Sequence, residues 1–190
     1  NIIRHFEMNE MKKLPSKDAA MQSESLFDAH EIAACVRIGA DALSRGTTVS
    51  TVRDAISLLL KSAQHCHTTE AVGVFVNVDV VTILQKSKGL WGRNNDCRRN
   101  VSRLLWELSK SQIFCKSTDL SQMEPVFSMS YVQNPPFEIC DNIVCAFLQC
   151  VILCGAEPSA YIDLPVWELI LSDALSCAPG PTALRARADR

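Results

Sequence analysis

Apolar residues recur along most of the chain at intervals of three and four positions, which is the spacing of one face of an α-helix. The clearest example spans residues 51–63, where a single apolar stripe is formed by Val52, Ile56, Leu59, Leu60 and Ala63. Similar patterns span residues 28–45, 96–110, 137–154 and 165–177. The pattern therefore predicts an all-α protein.

Residues suited to starting a helix stand at the edges of these segments. Asp28 is placed to cap the first helix, and Thr48 or Ser50 begins the second. Asp96 is predicted to cap the helix over 96–110, and Asp163 the last one. Their side-chain oxygens can accept hydrogen bonds from the free N–H groups of a helix N-terminus.

The stretch 71–84 fits two structures. Five valines alternate along it as they would in a strand: Val72, Val74, Val76, Val78 and Val80. Branched side chains also favour β-structure. However, no second strand-like segment accompanies the stretch, and a lone strand leaves its backbone groups unpaired. We therefore predict two short helices that meet near Asn77 and Asp79.

Polar and proline-containing stretches predict breaks between helices. Residues 88–95 are interpreted as a connector, and residues 118–124 as a short helix that ends before Pro125. The sequence Gln-Asn-Pro-Pro at 133–136 cannot lie inside a helix. The predicted domains are a flexible or weakly helical lead-in (1–27), a helical repeat domain (28–177) and a disordered basic tail (178–190).

One helical pattern recurs along the chain. TVRDAISLLLKSA at 51–63 matches DCRRNVSRLLWEL at 96–108, 45 positions later. A weaker third copy follows after 43 more positions, with Cys140, Val144, Phe147, Leu148 and Val151. A period of about 40–50 residues is typical of stacked helical repeats, because one unit cannot bury its apolar face alone. The sequence predicts a short right-handed α-solenoid of two or three repeats.

Residues 48–110 resemble an armadillo-type repeat, and residues 137–177 do so more loosely. The resemblance lies in the apolar run 75–84 and in the Arg, apolar, Trp-x-Leu-Ser pattern of 96–109. HEAT-type repeats use nearly the same spacing, so both subtypes stay open. In armadillo proteins that bind extended peptides, an Asn follows the Trp by four positions and holds the ligand backbone. Trp106 is followed at that distance by Lys110, so peptide capture of the nuclear-import kind is not implied.

The cysteine- and leucine-rich style is also similar to that of large vertebrate meiotic solenoid proteins, a likeness that rests on no residue motif. Nine cysteines, an odd number, in a chain without a secretory pattern indicate a reducing compartment, either cytosol or nucleus. The first residue is Asn1 rather than Met, which suggests a fragment or a processed form. No apolar run reaches the 18 residues or so of a membrane span.

Few residue clusters point to chemistry. His65, Cys66 and His67 could ligate zinc, but they lack paired ligand spacing, and we favour a helix C-terminus there. The cysteines at 140, 145, 150 and 154 would spread around one helix and are interpreted as core residues. Neither a phosphate-binding loop nor a nucleophile elbow is present. We therefore predict no enzymatic activity, no metal and no cofactor.

One concentrated group of arginines remains, at positions 93, 98, 99 and 103. Net charge is only −2, and Asp96 and Glu107 dilute the patch, so a solvated helix face is favoured over nucleic-acid contact. The predicted partner-binding surface consists of Trp91, Arg99, Arg103, Trp106 and Lys110. The prediction is a protein-interaction scaffold whose partners are other proteins, with a nucleic-acid-associated solenoid as the alternative.

Overall fold

The computed structural model describes residues 29–66, 68–118, 120–130 and 136–154. Within these ranges the chain forms eight α-helices and no strand, which confirms the all-α prediction. The helices are α1 (Ala29–Arg45), α2 (Val49–Gln64), α3 (Thr69–Asn77), α4 (Val80–Trp91), α5 (Asn95–Ser109), α6 (Gln112–Ser117), α7 (Leu120–Ser130) and α8 (Phe137–Cys154). The lead-in 1–27, the Asp28 cap, the break before Pro136, the helix predicted over 165–177 with its Asp163 cap, and the tail lie outside the described residues.

Side-chain caps start several helices, though not always at the predicted residue. Thr48 caps α2, because its side-chain oxygen accepts a hydrogen bond from the Thr51 N–H at 3.2 Å. Asp96 is not the cap of α5, which was our prediction. Asn94 takes that place, and its side-chain oxygen accepts from the Cys97 N–H at 3.0 Å. The extended backbone of Asn94 aims its side chain at that free N–H, whereas Asp96 already lies in the first turn.

The valine-rich stretch forms two helices, as predicted. Helix α3 buries Ala71, Val72, Val74 and Phe75, a stripe of helical spacing that the alternating valines alone do not reveal. The two helices meet at Asp79, whose φ of 51° is left-handed. The Asp79 carboxylate accepts a hydrogen bond from the Thr82 N–H at 3.3 Å and so caps α4.

The connector predicted over 88–95 is wrong in its first half. Helix α4 continues to Trp91, and only Gly92 to Asn94 join it to α5. The buried residues of this part of α4 lie three and four positions apart: Leu84, Ser87 and Trp91. Because this spacing places them on one helical face, the helix continues although its opposite face is polar.

The region 112–130 also differs from prediction. Helix α6 was not predicted, and α7 runs through Pro125 instead of ending before it. Proline lacks an N–H and therefore removes one helical hydrogen bond. Met123, Val126 and Phe127 are nevertheless all fully buried on one side of α7, and this burial outweighs the lost bond.

The helices that carry the similar sequence segments pack against one another. Helix α2 packs against α5, and α5 against α8; these three helices carry the three sequence copies. Likewise α3 packs against α6, while α4 packs against both α1 and α7. The apolar side chains between the helices form one continuous core. Of these three helices, α5 therefore packs between α2 and α8. Among the described residues, α8 packs against α5 but not against α2.

Candidate interaction surfaces

Four of the five predicted partner-binding residues share the outer face of α5. Arg99, Arg103, Trp106 and Lys110 follow one another at spacings of four, three and four, which places them on one side of the helix. Arg103 and Lys110 are exposed, while Arg99 and Trp106 are half-buried. We call these four residues the α5 face.

Trp91, the fifth predicted residue, is not on a surface. Its side chain is 0% exposed, and the indole N–H donates a hydrogen bond to the Leu84 carbonyl oxygen at 2.9 Å. The cause is the extension of α4, which turns Trp91 into the core. The prediction that Trp91 contacts a partner is therefore corrected.

Arg98 also leaves the basic patch, because it is buried. Its Nε and Nη2 donate hydrogen bonds to the Ser130 carbonyl oxygen at 3.0 and 2.8 Å, and its Nη1 donates to Asn95 Oδ1 at 2.9 Å. Burial lowers the pKa of the Arg98 guanidinium. The interaction ties α5 to the C-terminal end of α7, where carbonyl groups have no partner within the helix. The sequence sign of this burial is that Arg98 directly follows Cys97, which belongs to the core-facing side of α5.

The remaining charges of the α5 face are largely paired. Arg99 forms ion pairs with Asp96 and with Glu138 at the start of α8, each at 3.1 Å. Lys110 Nζ lies 2.6 Å from Glu107 Oε2 and 5.1 Å from the centre of the Trp106 ring, a cation–π arrangement. Arg103 stands beside these pairs as an exposed cation. The face is thus mixed in charge rather than strongly basic.

Two clefts adjoin the helices. One, of ≈ 340 Å³, lies beside the C-terminal end of α5 and is lined by Gln64, Cys66, Val72, Glu107 and Lys110, among others. The other, of ≈ 520 Å³, lies between α1 and α4. Within the described ranges, no group of three His, Cys, Asp or Glu side chains converges in a way that could hold a metal ion.

The His65–Cys66 pair lies at the end of α2. His65 is the C-cap residue, which is the position that our helix-terminus interpretation gave it, and Cys66 is half-buried. Burial raises the pKa of the Cys66 thiol to about 11. Since zinc binds the thiolate, this environment disfavours Cys66 as a ligand. His67 lies outside the described residues.

The outer side of α8 is a second surface, which sequence reasoning did not identify. Leu148 is 47% exposed and Ile152 is 70% exposed, and Cys145 beside them is half-buried. Cys145 and Leu148 are three positions apart, and Leu148 and Ile152 are four apart, so the three residues share one side of α8. We call them the α8 face.

The matching positions in α5 are buried. Subtracting the 43-residue offset from Leu148 and Ile152 gives Leu105 and Ser109, both 0% exposed. In the same way Cys145 corresponds to Ser102, whose hydroxyl accepts a hydrogen bond from Asn142 of α8 at 3.3 Å. Helix α8 therefore contacts α5 at Ser102. The corresponding side of α8 is exposed at Leu148 and Ile152 among the described residues. The offset between the copies was the signal that could have revealed this face.

Comparisons of the chain with protein-family models, with curated proteins and with solved structures give no match. The armadillo and HEAT resemblance therefore rests on the residues quoted above. No helix within the described ranges combines the length and the apolar character needed to cross a membrane.

Proposed function

We propose that this chain is a non-enzymatic protein-interaction scaffold, built as a short right-handed stack of armadillo- or HEAT-like repeats. In this proposal α2–α4 form one three-helix unit, α5–α7 form the next, and α8 begins a third. The packing of α2 on α5 on α8, of α3 on α6, and of α4 on α7 supports it, because equivalent helices of stacked repeats lie side by side.

The uncovered α8 face is the observation that carries the interaction role. At the matching positions of the sequence copies, Leu105 and Ser109 of α5 are buried, whereas Leu148 and Ile152 of α8 are exposed. Full burial of a leucine or isoleucine side chain contributes about 1.5–3 kcal/mol. Covering the α8 face would therefore stabilise a complex appreciably.

The partner that fits this face is an amphipathic helix that lies along α8 as α8 lies along α5. Helix α8 itself buries Ile139, Ile143 and Phe147, and it packs against α5, α6 and α7. A partner helix with a similar apolar stripe would repeat that packing. Helix-on-groove recognition of this kind relies on apolar anchors at such spacings and requires no bond chemistry.

Site-specific photo-crosslinking tests the proposal. A benzoylphenylalanine residue is placed at position 148 of the full chain, and at position 38 as the control, because Ile38 is also an exposed apolar residue. We expect position 148 to crosslink efficiently to the apolar side of a helix in another polypeptide. Crosslinks only to residues 155–190 of the same chain would show that the face packs internally and would contradict the proposal. Leu148→Glu with Ile152→Glu should abolish the contact detected from a probe at position 145. Equal crosslinking from positions 148 and 38 would contradict the proposal.

The α5 face is proposed as a second contact surface, for an acidic segment of a partner protein. Arg103 and the exposed part of Trp106 are its available groups, and Lys110 could exchange Glu107 for a partner carboxylate. The nucleic-acid alternative has weaker support, because Arg98 is buried and Arg99 is paired. Binding of a nucleic acid would show a steep dependence on salt concentration. A flat dependence would exclude that alternative.

A cytosolic or nuclear location, including a role in meiotic chromosome assembly, remains part of the proposal. The cysteine content supports a reducing compartment, because nine cysteines, an odd number, occur in a sequence without a secretory pattern. Fractionation of cells that express the full-length parent protein tests the location. Recovery in a secreted or organelle-lumen fraction would overturn it.

A further inference from the structure

Two cysteines from different helices lie in contact in the core. Cys115 of α6 and Cys150 of α8 are 35 positions apart in sequence, and their Sγ atoms are separated by 3.4 Å. A disulfide bond measures about 2.05 Å, so the two sulfur atoms are in contact without a covalent bond. Both side chains are 1% exposed. Sequence reasoning treated Cys150 as a core residue and did not single out Cys115.

Direct contact with a second thiol sets Cys115 apart from the buried cysteines of α1 and α5. The Cys115 thiol donates a hydrogen bond to the Ser109 carbonyl oxygen at 3.1 Å, and its Sγ lies 3.4 Å from Cys150 Sγ. The hydrogen bond with Cys150 lowers the pKa of the Cys115 thiol, against the opposing effect of burial. Burial instead raises the pKa of Cys35 and of Cys97, which are the two other buried thiols in α1 and α5. The core thus holds two thiols from different helices in direct contact, close enough to be joined through a mixed disulfide on either of them.

Access to the pair depends on α6. This helix has six residues, and its N-cap residue Ser111 makes no side-chain capping hydrogen bond. Short helices hold few internal hydrogen bonds, and such elements open locally before the whole protein unfolds. We therefore expect α6 to open locally, and so to expose Cys115, before the rest of the core unfolds.

We propose that Cys115 and Cys150 are a modification site at which a low-molecular-weight disulfide, such as oxidised glutathione, forms a reversible disulfide bond between α6 and α8. The Cys115 thiolate attacks one glutathione sulfur, which forms a mixed disulfide and releases one glutathione thiolate. The Cys150 thiolate then attacks Cys115 Sγ and releases the second glutathione thiolate. The two cysteine thiols are oxidised, the glutathione disulfide is reduced, and the two protons pass to the two glutathione products.

The bond would join α6 covalently to α8, the helix that carries the exposed apolar face. It would therefore suppress the opening of α6 and hold the third copy of the repeat against the second. This inference is independent of the proposed interaction role, since it depends only on the sulfur pair and the local stability of α6.

The test treats the full, folded chain with oxidised glutathione, blocks remaining thiols with N-ethylmaleimide and maps the peptides by mass spectrometry. We expect a linked Cys115–Cys150 peptide, loss of both thiols together, and recovery of both with dithiothreitol. Cys35 and Cys97 should stay reduced. A chain in which Cys115 and Cys150 remain reduced while folded, but are oxidised in urea, would overturn the proposal.

Serine variants separate the two steps. Cys150→Ser should stop the reaction at a glutathione adduct on Cys115, and Cys97→Ser should leave the Cys115–Cys150 bond unaffected. Circular dichroism checks that each variant is folded, and Cys150→Ala replaces the serine variant if the hydroxyl prevents folding. Crosslinks from Cys115 to several other cysteines in equal yield would show that the pair has no special role.

Discussion

Leu105 and Leu148 occupy the same position of the repeat, but their surroundings differ. Leu105 is 0% exposed in the core, whereas Leu148 is about half exposed on the outer side of α8. Truncation of a buried leucine removes apolar burial and leaves a cavity. We expect Leu105→Ala to lower the free energy of unfolding by about 2–5 kcal/mol. Leu148→Ala should change it by about 1 kcal/mol or less, which a urea titration of both variants measures. Equal losses would show that α8 is covered on both sides.

Arg98 differs from the other arginines because its hydrogen bonds are buried. Arg98→Met keeps an apolar stem but leaves the Ser130 carbonyl oxygen without its donors. Loss of hydrogen bonds to a charged group costs about 1.5–3 kcal/mol, and we expect a decrease of that size in the free energy of unfolding. The matched control Arg103→Met, at an exposed position, should change it by about 0.5 kcal/mol or less. Similar effects of the two substitutions would argue against a buried role for Arg98.

Cys66 gives a prediction about pH. Burial raises its pKa from 9.0 to about 11, so the folded state favours the neutral thiol. The folded chain then binds more protons than the unfolded chain between these two values. The contribution to stability is therefore complete below about pH 9 and is lost as the pH rises towards 11. We expect alkylation of Cys66 by iodoacetamide to have its midpoint near pH 11 when folded. A midpoint near 9 in the folded protein would contradict this.

The junction of α3 and α4 depends on Asp79 in two ways. Its backbone is left-handed, and its side chain caps α4. Alanine can neither cap nor adopt this conformation easily, so Asp79→Ala should lower the free energy of unfolding by about 1–3 kcal/mol. Asp79→Asn should be nearly neutral, because asparagine does both. Thermal unfolding of the two variants tests this, and equal shifts would show that the junction has no special requirement.

Helices with a strong apolar stripe could be predicted from sequence, and those whose burial depends on distant helices could not. The stripes of α2 and α8 are local, and both helices were predicted correctly. Helix α7 contains Pro125, which predicts an end, yet Val126 and Phe127 are buried after it. That burial comes from α4, α5 and α8, which pack against α7 and are not adjacent to Pro125 in the sequence.

At the scale of the molecule, the all-α class could be predicted from the sequence, but not which residues lie on the surface. The arginines near Trp91 suggest a surface position. Trp91 is buried because α4 extends to it and places its side chain in the core. The sequence alone would place the α8 face in the core, since Leu148 aligns with Leu105 in the apolar pattern of α5. The face is exposed because α8 is the last described helix and no later described helix packs against it. This depends on how the helices are arranged and not on the local sequence.

The proposed stack of repeats also predicts how stability is distributed along the chain. In a stack of repeats each unit contacts only its neighbours, so a local defect weakens the adjacent units most. Helix α5 packs against both α2 and α8, whereas α1 packs against α2, α3 and α4. A substitution in the core of α5 should therefore reduce amide protection in α2 and α8 alike. One in α1 should reduce it in α2 and leave α8 nearly unchanged.

Leu104→Ala and Val36→Ala make this comparison, since both side chains are 0% exposed and lie in α5 and α1 respectively. Hydrogen exchange of the folded chain, resolved by peptide, measures the protection of each helix below the global unfolding limit. If Val36→Ala lowered the protection of α8 as much as that of α2, the helices would unfold as one unit. The proposed stack of semi-independent repeats would then be wrong, even though the helices themselves were placed correctly.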